Sequence, residues 1–480
     1  MRHMVLYLSV SLTALLVSSG CMKVGPDYHR PDTGIQVPES FEHASTDKVT
    51  PSPEDLWWQV FGKPELDQLV EEALRNNLDI KKATARILEV RSQFVQTRAD
   101  RFPNASLEGD AERRRRPIIG IIPGRPFSTK TDIYTLALPA SFELDLWGRL
   151  ARAEEAARAD LFQAEENRRT VAQTVVAETI SLYLQMESLE RRIQISEQSI
   201  ENYGRSLALV ERRYERGLTP ILDLRQARRT LAQAEAALPA LRQEMGITQQ
   251  KLAVLLGRYP KTRPPRTQPE DYFKSLAPVP QGLPSELLLR RPDIRAAEAG
   301  LMGLNARVGM AKASRFPRIT LTGSFGYSSD ELDRLLQHQG KLWNLALAIV
   351  QPFFDAGKLK AGQRAAEARY EQGVAEYAKT VLMAFSEVES ALLTRKEQLE
   401  RRGRVLSFVS EARITQEVAE SRYERGLVDY LTVLESQQTR FIAEENLVLV
   451  DLAILSNRVA LHRALGGGWA EPMALSSICK

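Results

Sequence analysis

The hexapeptide Arg213-Tyr214-Glu215-Arg216-Gly217-Leu218 returns letter for letter as Arg422-Tyr423-Glu424-Arg425-Gly426-Leu427. Each copy ends one long run of heptad-like apolar spacing and opens another. That position marks the tip of a helical hairpin, with glycine supplying a left-handed turn that other residues adopt only under strain. Two such tips in 480 residues imply one structural unit made twice.

Composition agrees with long, polar-faced helices. Charged residues make up 26% and almost balance, at a net +4, while aromatics are only 7%. Ala, Leu, Glu, Arg and Gln dominate the long stretches, as in coiled coils. A pI near 8.9 is too mild for a nucleic-acid partner, and the basic residues are interleaved with acids. The five histidines (His3, His29, His43, His338, His462) are scattered, and the methionines form no cluster. With no metal-spaced set and no phosphate-cradling glycine loop, no catalytic residue, no metal and no cofactor is expected, and the chain is not expected to be an enzyme.

Residues 1–20 form a secretory signal: Arg2, an apolar stretch from Met4 to Val17, then small residues up to Cys21. The apolar stretch is too short for a bilayer core of about 30 Å. Small residues before a cysteine resemble a bacterial lipobox, in which Cys21 becomes the lipidated first residue. The alternative is ordinary cleavage that leaves Cys21 a plain thiol. Met22 in place of an aspartate implies, by the same resemblance, sorting to the outer membrane. The other cysteine, Cys479, is expected to be an incidental thiol in the tail 467–480.

Residues 21–64, rich in Pro, Gly and Ser, predict an extended, surface-bound arm. The first repeat, 65–257, opens with helices over Leu66–Asn76 and Leu78–Arg101. The period then changes. Leu136, Leu138, Ala140, Phe142, Leu144 and Leu146 alternate with polar residues, and Ala105–Ala111 alternates more weakly. Two strands, each with one greasy and one wet face, suit a sandwich edge or a transmembrane barrel. Between them, Arg113–Thr131 predicts a solvated hairpin loop; the alternative is that Arg113, Arg114, Arg115 and Arg116 grip lipid phosphates of an outer leaflet.

From Arg149 to Gly217 the helical pattern meets no proline, roughly 100 Å at about 1.5 Å per residue. Its seam steps by fours and threes from Val175 through Leu189 and Tyr203 to Tyr214, and the returning helix answers with Leu224 to Leu255, kinked at Pro239. A Pro-rich linker, 258–282, precedes a second repeat over 283–466. There Asp293-Ile294 and Arg315-Phe316-Pro317 match Asp79-Ile80 and Arg101-Phe102-Pro103, while Leu345, Leu347, Ile349 and Phe353 match Leu136, Leu138, Ala140 and Leu144. The second long helix has a poorer seam, interrupted by Arg395 and Arg402.

Four strands with open edges and four long helices cannot bury themselves as a monomer, so the chain must oligomerise. Three copies give twelve strands and twelve helices: a mainly α fold carrying a small membrane β-barrel, continued by a helical tube.

Leu283-Pro284-Ser285-Glu286-Leu287-Leu288-Leu289-Arg290-Arg291-Pro292-Asp293-Ile294-Arg295-Ala296-Ala297-Glu298 resembles the signature of the NodT-type outer-membrane factor lipoproteins, which are TolC- and OprM-like efflux channels. Gly25-Pro26-Asp27-Tyr28, Glu143-Leu144-Asp145-Leu146-Trp147-Gly148-Arg149 and the stretch from Tyr423 to Leu431 extend the resemblance over nearly all of the mature chain. It implies a homotrimeric 12-stranded barrel in the outer membrane, continued by a coiled-coil tunnel in the periplasm. The channel would pass small molecules delivered by a periplasmic adaptor and an inner-membrane pump of RND type.

By the same resemblance the hairpin tips form the periplasmic gate. Asp429, Tyr430, Arg425, Tyr423 and Asp223 are the gate candidates; Gly217, Gly426, Arg216 and Leu427 are turn and adaptor-contact candidates. A ring of Asp429 carboxylates would attract cations. The alternative is that Asp429 caps the returning helix while Tyr423 and Tyr430 pack the hairpin. The tips differ after the glycine, Thr219-Pro220 against Val428-Asp429, and the second is expected to carry the gate. A structural or adaptor lipoprotein of the envelope, and a protein-secretion or metal-efflux channel, are the competing readings. The sequence does not name the cargo.

Overall fold

The computed structural model describes residues 23–43, 56–118, 127–261 and 290–467. Cys21, Cys479, the signal segment, most of the Pro-rich linker and Leu283–Leu289 of the signature lie outside them. Helices α1 (Pro64–Asn76) and α2 (Leu78–Ala99) lead to strands β1 (Asn104–Ala105), β2 (Glu108–Ile118) and β3 (Phe127–Leu144). The hairpin α3 (Arg149–Glu215) and α4 (Ile221–Leu255) completes the first repeat. The second runs α5 (Pro292–Ala313), β4 (Arg318–Ser329), β5 (Lys341–Val350), α6 (Lys358–Glu424) and α7 (Tyr430–Ala464). Helices α3 and α6 are each 67 residues long, and α4 and α7 each 35, so the repeat is exact in its hairpins.

Contacts divide the chain into two units. Of the described residues, the first takes 23–33, 86–118, 127–165 and 296–378 and contains an antiparallel sheet in the order β2–β3–β4–β5, with β1 continuing the lane of β2 along β3. Register aligns the apolar residues in rows across the sheet: Leu138, Phe325 and Trp343; Phe142, Leu321 and Leu347; Leu144, Ile319 and Ile349. Much of this face is bare, with Trp343, Leu345, Leu347 and Ile349 all exposed.

Two strand expectations are corrected. Arg113–Thr131 is not a loop over its whole length: Arg113 pairs with Asp132, Arg114 with Thr131, Arg115 with Lys130 and Arg116 with Thr129, so the ribbon continues beyond Tyr134, where β4 begins to pair. Both faces of that ribbon are polar, and without apolar residues to mark it a period of two leaves no trace in hydropathy. Phe353 does not belong to the strand, which ends at Val350; Pro352 follows and has no N–H for a ladder.

The motifs of this unit that carry the family resemblance are joints. In Glu143–Arg149, the Arg149 guanidinium holds Glu143 at 3.0 and 2.8 Å, Asp145 accepts the Ala151 N–H at 2.7 Å to start α3, and Trp147 stacks on Phe316. Gly25 lies so close to Gly309 that a Cβ would meet its Cα at 2.6 Å. Fully buried Arg152 donates to the Gly25 carbonyl and to Asp27, and Glu298 receives both Arg30 and Tyr28.

The second unit takes, of the described residues, 34–43, 56–85, 166–261, 290–295 and 379–467. Here most of the expected seam of α3 is buried between Val175 and Val210, with Met186, Ile200 and Leu207 half-buried. A second stripe of α3, Val176, Ile180, Tyr183 and Leu184, is also buried and packs with Val448, Leu455 and Val459 of α7 and with Trp57 and Trp58. The tryptophans lie in a short 3-10 turn, Trp57–Phe61, which corrects the expectation that the arm stays on the surface as far as residue 64. Two indoles and a phenylalanine within five residues are too apolar to leave wet. The interruption at Arg402 is compensated, since its guanidinium meets Asp451 of α7 at 2.6 Å.

Corresponding residues of the two repeats make corresponding ties. Asn77 caps α2 at the Asp79 and Ile80 amides and donates to the Leu255 carbonyl at the end of α4. In the second repeat Arg291 stands in its place. It holds Asp293 and Glu387 and donates at 3.0 Å to the Ala464 carbonyl at the end of α7. Burial alone would raise the Asp293 carboxyl, and the Arg291 guanidinium overcomes it, holding Asp293 below the ordinary carboxylate range. Arg291→Ala should lower stability by about 2–3 kcal/mol, the worth of a few charged hydrogen bonds with partners only partly screened. The check is the thermal midpoint of the detergent-solubilised protein, and an unchanged midpoint would contradict this tie.

Candidate functional site

Both hairpin tips belong to the second unit, and the sequence repeat makes them alike in backbone. Each helix ends in a Schellman turn. The Gly217 N–H reaches the Tyr214 carbonyl at 2.8 Å and the Leu218 N–H the Arg213 carbonyl at 2.9 Å; Gly426 and Leu427 repeat both bonds on Tyr423 and Arg422 at 2.9 Å. Gly217 and Gly426 have φ of 72° and 74°, the left-handed conformation the sequence predicts. Arg216, Leu218, Arg425 and Leu427 all stand exposed around these turns, as a surface for a partner requires.

The returning strokes differ. At the first tip Pro220 occupies the cap position of α4 without a side-chain bond, and the Thr219 hydroxyl donates to Asp223. At the second tip Asp429 caps α7, accepting the Thr432 N–H at 3.0 Å and the Thr432 hydroxyl at 2.7 Å. The Thr432 hydroxyl first, and its backbone N–H second, hold the exposed Asp429 carboxyl below the usual range.

The two tyrosines of the second tip face inward. Tyr423 and Tyr430 pack at 5.7 Å between ring centroids, with Tyr203, Val210, Leu224, Ala227, Val433 and Leu434 around them. Burial raises the hydroxyl pKa of both, and pushes that of Tyr203 up to about 12. These rings therefore hold the two hairpins together, whereas Asp429 and Arg425 remain on the surface.

Two features escaped the sequence reading. Arg213 crosses from the first tip to the second, donating to the Tyr423 carbonyl at 2.9 Å with its guanidinium carbon 4.6 Å from the Tyr423 ring centre. Gln437, buried on α7, donates to Ser206 of α3 and Glu420 of α6 and so joins three helices. The exact repeat was the available signal for Arg213, but spacing alone does not say which copy of an arginine meets which copy of a tyrosine.

The basic run of the sheet is distributed by strand alternation. Arg113 and Arg115 lie on the same side as Leu136, and Arg114 and Arg116 on the opposite side. Arg113 is held by Asp132, Arg114 by Glu112, and Arg115 by Ser128. Among the described residues no group of three or more His, Cys, Asp or Glu could hold a metal ion, and no helix is long and apolar enough to cross a membrane.

The family model "Outer membrane efflux protein" matches residues 69–258 and 283–467. "Cation efflux system protein CusC" of Escherichia coli O6:H1 is 32% identical over 459 residues, 95% of this chain and 97% of that protein. "Solvent efflux pump outer membrane protein SrpC" of Pseudomonas putida is 32% identical over 470 residues, covering 96% and 98%. The structure of the outer-membrane channel OprN superposes with a TM-score of 0.86 at 31% identity, over 93% of this chain and 99% of that one.

The cap at Asp429 has a signed pH dependence. A carboxyl whose folded pKa is depressed stabilises the fold fully above its unfolded value, and the contribution is lost as pH falls through the folded value. Asp429→Ala should therefore speed hydrogen exchange at the Thr432 amide. Asp429→Asn should keep the protection and remove its dependence on acid; equal protection in all three proteins would contradict the cap.

Proposed function

The chain belongs to the outer membrane efflux protein family, and from that premise we propose that it is the outer-membrane channel of a tripartite efflux system, passing small molecules from a periplasmic adaptor and an inner-membrane pump to the exterior. The observation that carries this reading is the sheet. It has a bare apolar face aligned in rows across β3, β4 and β5 and unpaired edges at β2 and β5. In a bilayer such edges must be closed, and an apolar outer band is what lipid requires. Three subunits with four lanes each close a 12-stranded barrel, and their long helical hairpins supply the tunnel.

Cargo is not written into this architecture. Relatives at the same identity carry names that specify cations in one case and solvent in another. The wall conducts passively, and selection falls to the pump that feeds it.

At the tips, Arg216, Gly217, Gly426 and Leu427 form the surface that meets the adaptor. Asp429 and Arg425 act at the gate as exposed charges, and Tyr423 and Tyr430 act there as the packing that holds the tip. Three Asp429 carboxylates around one opening favour cations. Cys21 carries the lipid anchor.

Two measurements test this reading. The purified protein should form discrete pores in a planar bilayer, and Asp429→Asn, which keeps the cap, should reduce cation selectivity; absence of any pore rules out a channel, and unchanged selectivity removes Asp429 from the gate. Cys21→Ser should abolish incorporation of labelled palmitate, and undiminished labelling would place the lipid elsewhere.

A further inference from the structure

The repeated hexapeptide makes one contact inside the chain and leaves its counterpart unmade. Arg213 of the first tip lies on the ring of Tyr423 of the second and donates to its carbonyl. Moving each residue to the equivalent place in the other repeat exchanges the roles: Arg213 becomes Arg422, and Tyr423 becomes Tyr214. Neither of these side chains is engaged in the described subunit. Arg422 is exposed, and Tyr214 is 40% exposed where Tyr423 is 5%.

Tyr214 is also the point where the seam of α3 fails. Its heptad place predicts burial, yet Val210, one turn earlier, is the last seam residue buried. Leu218, Ile221 and Leu222, the next apolar residues along the chain, are exposed as well, so the first tip presents apolar side chains that water covers poorly.

We propose that Arg422 of each subunit closes on Tyr214 of the next, a second copy of this chain supplying the aromatic face and the backbone carbonyl. The inference rests on the trimeric channel reading above. Three subunits around an axis place six tips in a ring in which first and second tips alternate. Every first-to-second junction is then made within a subunit by Arg213 and Tyr423, and every second-to-first junction between subunits by Arg422 and Tyr214. Guanidinium suits both, because its flat face stacks on the ring while an edge N–H reaches the carbonyl.

The two kinds of junction are unequal. Tyr423 is backed by the fully buried ring of Tyr430, whereas the repeat places Ile221 behind Tyr214. The junction between subunits therefore lacks one aromatic ring and is the looser of the two.

Cross-linking tests the pairing. In a Cys479→Ala background, a protein carrying Tyr214→Cys and Arg422→Cys is treated with a short bifunctional thiol reagent as a native trimer. The expected result is a shift from monomer to covalent dimer and trimer on a denaturing gel, absent from either single variant. The Arg213→Cys, Tyr423→Cys pair serves as control, reacting within one subunit and running as monomer. A native trimer whose control pair reacts while Tyr214→Cys, Arg422→Cys stays monomeric overturns the pairing and leaves the channel reading intact. Absence of a trimer before any reagent is added overturns both.

Discussion

An antiparallel sheet with one bare apolar face and two unpaired edges has no stable setting as a single copy. In water the face is uncovered; in lipid the edge N–H and C=O groups find no partner, at a cost of several kcal/mol each. The assembly of this protein follows from meeting both demands together. Closure by copies of the same chain satisfies the edges, and lipid satisfies the face. Four lanes are too few to close alone, so the subunit is the fraction of a barrel and the trimer its completion.

The duplicated hairpins answer a different constraint, which is how to hold helices of 67 residues at fixed separation. Apolar seams supply most of the cohesion, but they slide. Register is fixed by polar ties at the ends and along the seam: Asn77 and Arg291 on the last carbonyls of α4 and α7, Arg402 on Asp451, and Gln437 on Ser206 and Glu420. Each satisfies a buried group that a shifted register would leave unpaired, so each penalises slippage more than it adds net stability. The tips continue this logic with Arg213, whose guanidinium joins one hairpin to the other through a ring and a carbonyl.

Much of the candidate site was legible because its residue types have few alternatives. Glycines 217 and 426 read as left-handed turns, and that is their conformation. Asp429 read as either a cap or a gate charge, and the cap bond leaves its carboxylate exposed for the other role. What stayed hidden lacked a periodic marker. The ribbon through Arg113–Arg116 is polar on both faces, and the second stripe of α3 through Val176, Ile180 and Tyr183 faces an element about 270 residues away in sequence, whose proximity no local pattern encodes.

The sequence by itself determined the duplication, the hairpin lengths, the glycine turns and the alternation that gives strands two unlike faces, because these depend on local periods and on backbone restrictions of single residues. The tertiary structure alone decided which equivalent residues are used alike and which are not. Tyr214 and Tyr423 stand in identical hexapeptides, yet one is buried against Tyr430 and held by Arg213 while the other is exposed. Identical local sequence cannot distinguish them. The difference arises from the neighbours that packing brings, one tip facing into its own subunit and the other left with an open aromatic face.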